Sequence, residues 1–337
     1  MQNKRRVTLD DVAREAGVSY QTVSRVINNH PSVAQQTRQR VEAVIASLGY
    51  QPMRAAQNLA GKHSKTLGIV SFGFEYYGPS QMVSNIEHAA RAEGYDVLIH
   101  TRQNSTQANV REEVDYFERW QVDGVLNIAP MPETSYDGMS DRYHVPVVQI
   151  DIELGDKSPS VVIDQQHGTE MVTKHLIELG HRHICEISGP QNWFGASARH
   201  EGWQNILKHH NLEPGLSVEG NWTAQSGYAA AKELLRQDDS FTAIVSGNDQ
   251  MALGAMCALQ EANLRVPEDV SIVGFDDIPE AAYFHPPLTT IRQDFGQLGE
   301  LGIQYLIELI RDPDTPVKQH VIQPQMIQRL SAAPPLR

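Results

Sequence analysis

The chain has 337 residues, 40% of them hydrophobic, a formal charge of −13 and two cysteines. That length suits two or three domains with real cores, and no apolar run approaches the ~20 residues of a spanning helix, so neither a membrane protein nor a membrane partner is expected. The opening MQNKRRVTLDD lacks the apolar stretch of a secretory signal, and Cys185 and Cys257 fit no disulfide or metal spacing, which suits a reducing cytoplasm.

The first elements are short helices. Thr8 is a candidate N-cap, with Asp10 and Asp11 in the first turn of a helix expected over 9–16. Leu9, Val12, Ala13 and Ala16 fall on one face at helical spacing. Gly17 suits a left-handed residue after the helix end. Ser19 then caps a second helix over 20–28. On it Val23, Val26 and Ile27 share one face, while Gln21, Ser24, Arg25 and Asn28 share the other beside Tyr20. Two short helices around a glycine turn make a helix-turn-helix, whose second helix reads base edges in the major groove. Arg forks onto guanine and Gln onto adenine. The bland alternative, a helical hairpin with a solvated polar face, is about as common on turn geometry alone.

Charge and local sequence separate the two readings. Residues 1–62 hold nine Lys or Arg and four Asp or Glu, a net +5, which leaves −18 on the remainder. A basic head on an acidic body is expected where only the head meets phosphate. The run TLDDVAREAGVSYQTVSRVIN resembles the DNA-binding head of the lactose/galactose (LacI/GalR-type) transcriptional repressor family, toward its lactose-type members. The resemblance implies a DNA-facing set of Thr8, Leu9, Ser19, Tyr20, Gln21, Thr22, Ser24, Arg25, Asn28, Thr37 and Tyr50. A third helix is expected over 36–48, with Val41, Val44, Ile45 and Leu48 packing on the first two and Gly49 ending it. Arg5, Arg6 and Lys62 are expected at phosphates.

Pro52 and Gly61 bound a linker, 51–62, that leaves one or two turns of helix over 53–60, too short to persist alone in water. It is either an ordered connector or, as the resemblance implies, a hinge helix that folds on operator DNA. In the second case Leu59 is an apolar wedge in the minor groove, with Ala56 and Ala60 allowing close approach.

From Thr66 short apolar strands alternate with amphipathic helices. Strands are expected at 67–71, 95–100, 124–128, 147–150 and 161–163, with helices over 80–93, 110–120 and 136–143. A second round has helices over 167–179, 198–210, 226–237 and 250–263, and strands at 184–187, 243–246 and 271–274. Such alternation implies parallel sheets covered on both faces, and two rounds imply two doubly wound α/β subdomains. Ligands in this class lie beyond the carboxyl ends of the strands, in the cleft between the halves. The pattern is similar to the periplasmic-binding-protein-like body of the same family. By that likeness the chain divides into a head at 1–50, a hinge at 51–62, a first subdomain at 63–163 with 293–322, a second at 164–292 with 323–333, and a tail at 334–337. The helix over 295–310 then belongs to the first half.

Polar residues stand where strand ends would meet a cleft: Asp151, Arg199 opening a helix after Gly189-Pro190, Asn248 and Asp276. Carboxylates, an amide and a guanidinium hold sugar hydroxyls, and Trp222 and Phe295 offer faces to a pyranose. Taken singly, each is more ordinarily a helix cap or a salt-bridge partner, and Asp249 and Asp277 are read as caps or orienting residues. The resemblance implies an inducer site of Tyr76, Pro79, Asp151, Arg199, Trp222, Asn248, Asp276 and Phe295, for a sugar effector of β-galactoside type; the alternatives are a repressor responding to another glycoside and a sugar-binding transport receptor. Tyr76, and the 191–197 loop with Trp193 and Phe194, depart from the lactose-type pattern. His181-Arg182-His183 reads as a solvated turn. With no phosphate loop and no nucleophile elbow, no catalytic residue, metal or cofactor is expected. The resemblance also implies a homodimer on double-stranded operator DNA in the cytoplasm, at the nucleoid. The closing 331–337, with Pro334-Pro335 and no heptad spacing, argues against a tetramer.

Overall fold

A computed structural model describes residues 7–27, 30–50, 64–102, 107–128, 130–131, 144–238 and 240–336, with backbone alone for 107–112 and 114. Asn28, Ala56, Leu59, the other hinge residues, Arg5, Arg6, Lys62 and the helix expected over 136–143 lie outside the described residues. The chain divides into two compact units, Met1–Ser64 and Lys65–Arg337.

The first unit is three helices, α1 (Leu9–Ala16), α2 (Tyr20–Ile27) and α3 (Gln35–Leu48). Thr8 and Asp11 form a reciprocal capping box, the Thr8 hydroxyl accepting from the Asp11 N–H at 3.3 Å and the Asp11 carboxylate from the Thr8 N–H at 2.9 Å. Two otherwise orphaned donors are thereby satisfied, which sets the start of α1. Gly17 ends it at φ +63°, where a side chain would be strained. The Ser19 hydroxyl accepts from the Thr22 N–H at 3.2 Å and starts α2. Val12, Val23, Val26 and Val41 make the small core, joined by Tyr50.

The second unit carries two parallel sheets. In the first half the chain runs β1 (Thr66–Phe72), α4 (Tyr77–Ala92), β2 (Asp96–Arg102), α5 (Gln107–Trp120), β3 (Gly124–Ile128), β4 (Val147–Ile150) and β5 (Ser160–Ile163). It then enters α6 (Gln165–Glu178), β6 (Ile184–Ser188), α7 (Phe194–His209), β7 (Ser217–Glu219), α8 (Ala224–Gln237), β8 (Ala243–Ser246), α9 (Asp249–Glu261) and β9 (Ser271–Val273). After β10 (Thr290–Arg292) come α10 (Phe295–Arg311), β11 (Gln319–Ile322) and β12 (Gln325–Ile327). The six-stranded sheet has the order β11-β5-β4-β3-β1-β2 and the four-stranded sheet β7-β6-β8-β9, while β10 and β12 form an antiparallel pair. The chain therefore leaves the first sheet after β5, returns through α10 and β11, and leaves again before β12.

The central strands β3, β4, β6 and β8 are buried along their whole length because both faces are covered, with Asn127, Gln149 and Glu186 as polar residues among their apolar ones. On one face of the first sheet Leu67, Ile69, Leu126, Ile128 and Ile150 pack with Met82 and Ile86 of α4 and Leu298 and Leu306 of α10. On the second sheet Ile187, Ile244 and Ile272 meet Met251 and Leu259 of α9, and Trp203 and Leu207 cover the opposite face with Val172 and Leu176.

Several observed helices begin earlier than their hydrophobic periodicity suggests. α4 begins at Tyr77 and α7 at Phe194, so Arg199 lies inside α7 rather than opening it. The first turns carry few inward apolar residues, so periodicity understates them. β7, β10, β11 and β12 are absent from the sequence reading because strands of three or four residues carry almost no alternation signal.

Candidate functional site

On α2 the packing of Val23 and Val26 turns Tyr20, Gln21 and Arg25 to the exposed side, with Tyr20 at 53% exposure. Ser24 is half-buried beside them. Ser19 and Thr22 share a hydroxyl contact at 2.9 Å at the start of the helix. Thr8 is occupied as a cap, Leu9 packs partly on the core, and Thr37 is half-buried near the start of α3. The Tyr50 ring is buried in the core of the head.

In the body, the carboxyl ends of β4, β6, β8 and β9 lead into residues lining a cavity of about 50 Å³. From the first half come Tyr76, Tyr77, Pro79, Met82 and Asp151; Arg199, Trp222, Asn248 and Asp276 come from the second. Gln165 and Gln293, which stand where the chain passes between the sheets, complete the lining with Trp193. Three non-glycine residues of this cavity have positive φ: Asp151 at +61°, Trp222 at +70° and Asp276 at +112°. Such geometry costs free energy and is kept where the surroundings over-determine it, a pattern that concentrates at binding sites.

The polar side chains form a closed ring. Arg199 donates from Nε to Gln165 Oε1 at 2.9 Å, and Gln165 donates to Gln293 Oε1 at 2.8 Å. Gln293 donates to Asp276 Oδ1 at 2.7 Å, and that oxygen lies 3.7 Å from Arg199 Nη2. Arg199 also donates to the Gly247 carbonyl, and its guanidinium lies 3.8 Å from the Phe275 ring centroid and 5.4 Å from that of Trp222. A weakly hydrated planar cation can be held buried this way, between rings and fixed acceptors. Asn248 caps α9 by accepting from the Met251 N–H at 2.9 Å, and its amide donates to the Trp222 carbonyl at 3.1 Å. The cap therefore also fixes the segment bearing the indole.

Burial sets the electrostatics. It pushes the Asp151 carboxyl up to about 7, against the pull of Arg199. It pushes Asp276 up to about 6, with Arg199 and the Gln293 amide acting in the opposite direction. The Arg199 guanidinium is lowered by burial, and the nearby aspartates counter that. Among the described residues none donates a side-chain hydrogen bond to the Asp151 carboxylate, so it remains an acceptor facing the cavity. Asp249 and Asp277 act elsewhere. Asp249 is buried and accepts from the Thr290 hydroxyl at 2.6 Å and the Ile278 N–H at 2.8 Å, while Asp277 pairs with Arg292 at 2.7 Å and Arg329 at 2.6 Å.

Phe295 does not line the cavity. It is buried in the first core, edge-on to Tyr77 at 6.1 Å, and Tyr77 is the ring that reaches the cavity wall. Sequence alone does not single out Gln165 and Gln293. The two glutamines follow strand ends at the crossovers, and Gln293 was hidden because β10 was not recognised. Gly189 also carries the site, since a Cβ there would lie 2.1 Å from Cη2 of Trp222. Among the described residues no cluster of three or more His, Cys, Asp or Glu is placed to hold a metal ion.

Residues 8–53 match the bacterial regulatory proteins of the lacI family, and residues 173–332 match the periplasmic binding protein-like domain. The chain is 37% identical to the lactose operon repressor of Escherichia coli (strain K12) over 306 residues, 90% of this chain and 84% of that protein. It is 35% identical over 332 residues to the HTH-type transcriptional repressor PurR of Haemophilus influenzae (strain PittEE), covering 96% of this chain and 98% of that one. Among solved structures, the Lac repressor dimer bound to operator and the anti-inducer ONPF superposes with a TM-score of 0.91 at 34% identity, covering 98% of this chain and all (100%) of that one. A complex of the transcriptional regulator CelR with cellobiose gives 0.72 at 31% identity, over 97% of this chain and 100% of that one.

Proposed function

The chain belongs to the lacI family of bacterial regulatory proteins and is a DNA-binding transcriptional repressor, and from that premise we propose that its body senses a sugar, of β-galactoside type, whose binding lowers operator affinity. The observation that carries this reading is the closed ring of Arg199, Gln165, Gln293 and Asp276 beside Trp222, with the Asp151 carboxylate left as an acceptor. Fixed donors and acceptors around an aromatic wall suit a ligand with alternating hydroxyl and C–H faces. The chain acts in the cytoplasm as a homodimer on a two-half-site operator, with Tyr20, Gln21 and Arg25 reading bases.

The test is operator binding at fixed salt across a sugar panel, because salt alone shifts affinity strongly. A β-galactoside is expected to release DNA from the native protein. Asp276→Ala is expected to keep operator affinity near the native value and to abolish that release. Normal release in the Asp276→Ala protein would place the effector elsewhere.

A further inference from the structure

The 191–195 segment, between β6 and the first turn of α7, reaches across the cleft to the first half at three successive residues. The Asn192 amide donates to the sulfur of Met131 at 3.6 Å. The Phe194 N–H donates to the Pro130 carbonyl at 2.8 Å. Between them, the Trp193 indole is edge-on to Tyr76 at 5.0 Å and to Phe72, at the end of β1, at 5.8 Å. On its own side it meets Trp222 at 5.7 Å. An aromatic ring held by three others, between one neighbour tied through its side-chain amide and one tied through its backbone, is a fixed wall and not a surface side chain.

That wall stands between two spaces. The central cavity is about 50 Å³. A second cavity of about 320 Å³ adjoins it, bordered by Glu153, Gln166, Asn192, Phe194 and Glu201. Trp193 lines both, and it is the bulkiest of the residues they share; the others are Asp151, Gln165 and Gly195. Gln165 is committed to the polar ring, so the indole is the removable part of the partition.

We propose that Trp193 is the residue that sets the size of effector the cleft accepts. At about 50 Å³ the central cavity admits a pyranose only once its walls move apart, and with the indole in place the widened space still ends at Trp193, which limits it to one sugar ring with a small aglycone. Without it the two cavities join, and the carboxylates, amides and Phe194 ring of the second receive another ring. This rests on the central cavity being a sugar site.

The test is calorimetric titration of the full chain with paired probes: methyl β-galactoside with lactose, methyl β-glucoside with cellobiose, and methyl α-galactoside with melibiose. The native protein is expected to bind the one-ring member of a pair at least tenfold more tightly than its two-ring partner. Trp193→Ala is expected to close that gap by at least tenfold. Trp193→Phe keeps aromatic contacts while shortening the ring, and should move the ratio the same way by less; it carries the test if the alanine variant loses its fold. A two-ring sugar that binds the native protein as tightly as its one-ring partner would overturn the size limit, as would a ratio unmoved by either substitution, and either result leaves the sugar site standing. If no probe binds the native chain, the sugar reading itself falls and the size limit with it.

Discussion

Asp151 and Asp276 face one small cavity with carboxyls raised from 3.8 to about 7 and about 6 by burial. A hydroxyl that hydrogen-bonds to a carboxylate favours its ionised form, so binding should release protons and affinity should rise with pH between about 5 and 8. Calorimetry in two buffers of different ionisation enthalpy measures that release, and a pH-independent affinity would contradict it. The stability of the unliganded body runs the other way. Both groups keep their protons to a higher pH folded than unfolded, so their contribution is fully present below about 4 and is lost as pH rises through about 6 and 7. Asp151→Asn should flatten that slope in urea titrations taken at several pH values.

Two short elements carry the proposed specificity. The first is the turn after β6, where Gly189 lets the Trp222 indole lie against the backbone. A Cβ at 2.1 Å cannot be accommodated without moving the ring, so Gly189→Ala should weaken sugar binding at least tenfold while operator binding stays native. Equal sugar affinity in that variant would show the indole is dispensable. The second is α2, whose buried Val23 and Val26 fix which side chains face outward. Arg25→Ala should cost about 1–3 kcal/mol of operator binding and relax base preference at one position, since a forked contact to guanine is lost. Selection from a randomised half-site reads this directly, and unchanged selectivity would remove Arg25 from the reading set.

At the scale of the whole molecule, a sugar bound equally by every arrangement of the body would shift nothing, however tightly it bound. Release from DNA therefore requires a differential of about 1–3 kcal/mol, a 5–150-fold change in operator affinity. Linkage makes the effect reciprocal, so saturating operator should weaken the sugar by the same factor. Titrating the sugar with and without operator DNA checks this, and identical affinities would sever the proposed link between body and head.

Local chemistry made much of this legible from residues alone. Thr8 and Asp11, Gly17, Ser19 and Gly49 mark the limits of the head helices because capping and left-handed geometry act over three or four residues. The apolar strands and their alternation with helices defined the α/β body for the same reason. Other features depend on contacts between residues distant in the chain. β10 pairs with β12 over only three residues, so Gln293 gained a position only once the two came together. The link from Gln293 to Gln165 spans 128 residues, and that from Arg199 to Gln165 spans 34. No local pattern shows that the rings of Tyr50 and Phe295 pack into cores, because a core takes whatever apolar surface its neighbours leave uncovered. Trp193 stood in the sequence as an aromatic in a loop. Its position between two cavities and two halves exists only after the sheets have folded and brought Phe72, Tyr76 and Trp222 around it.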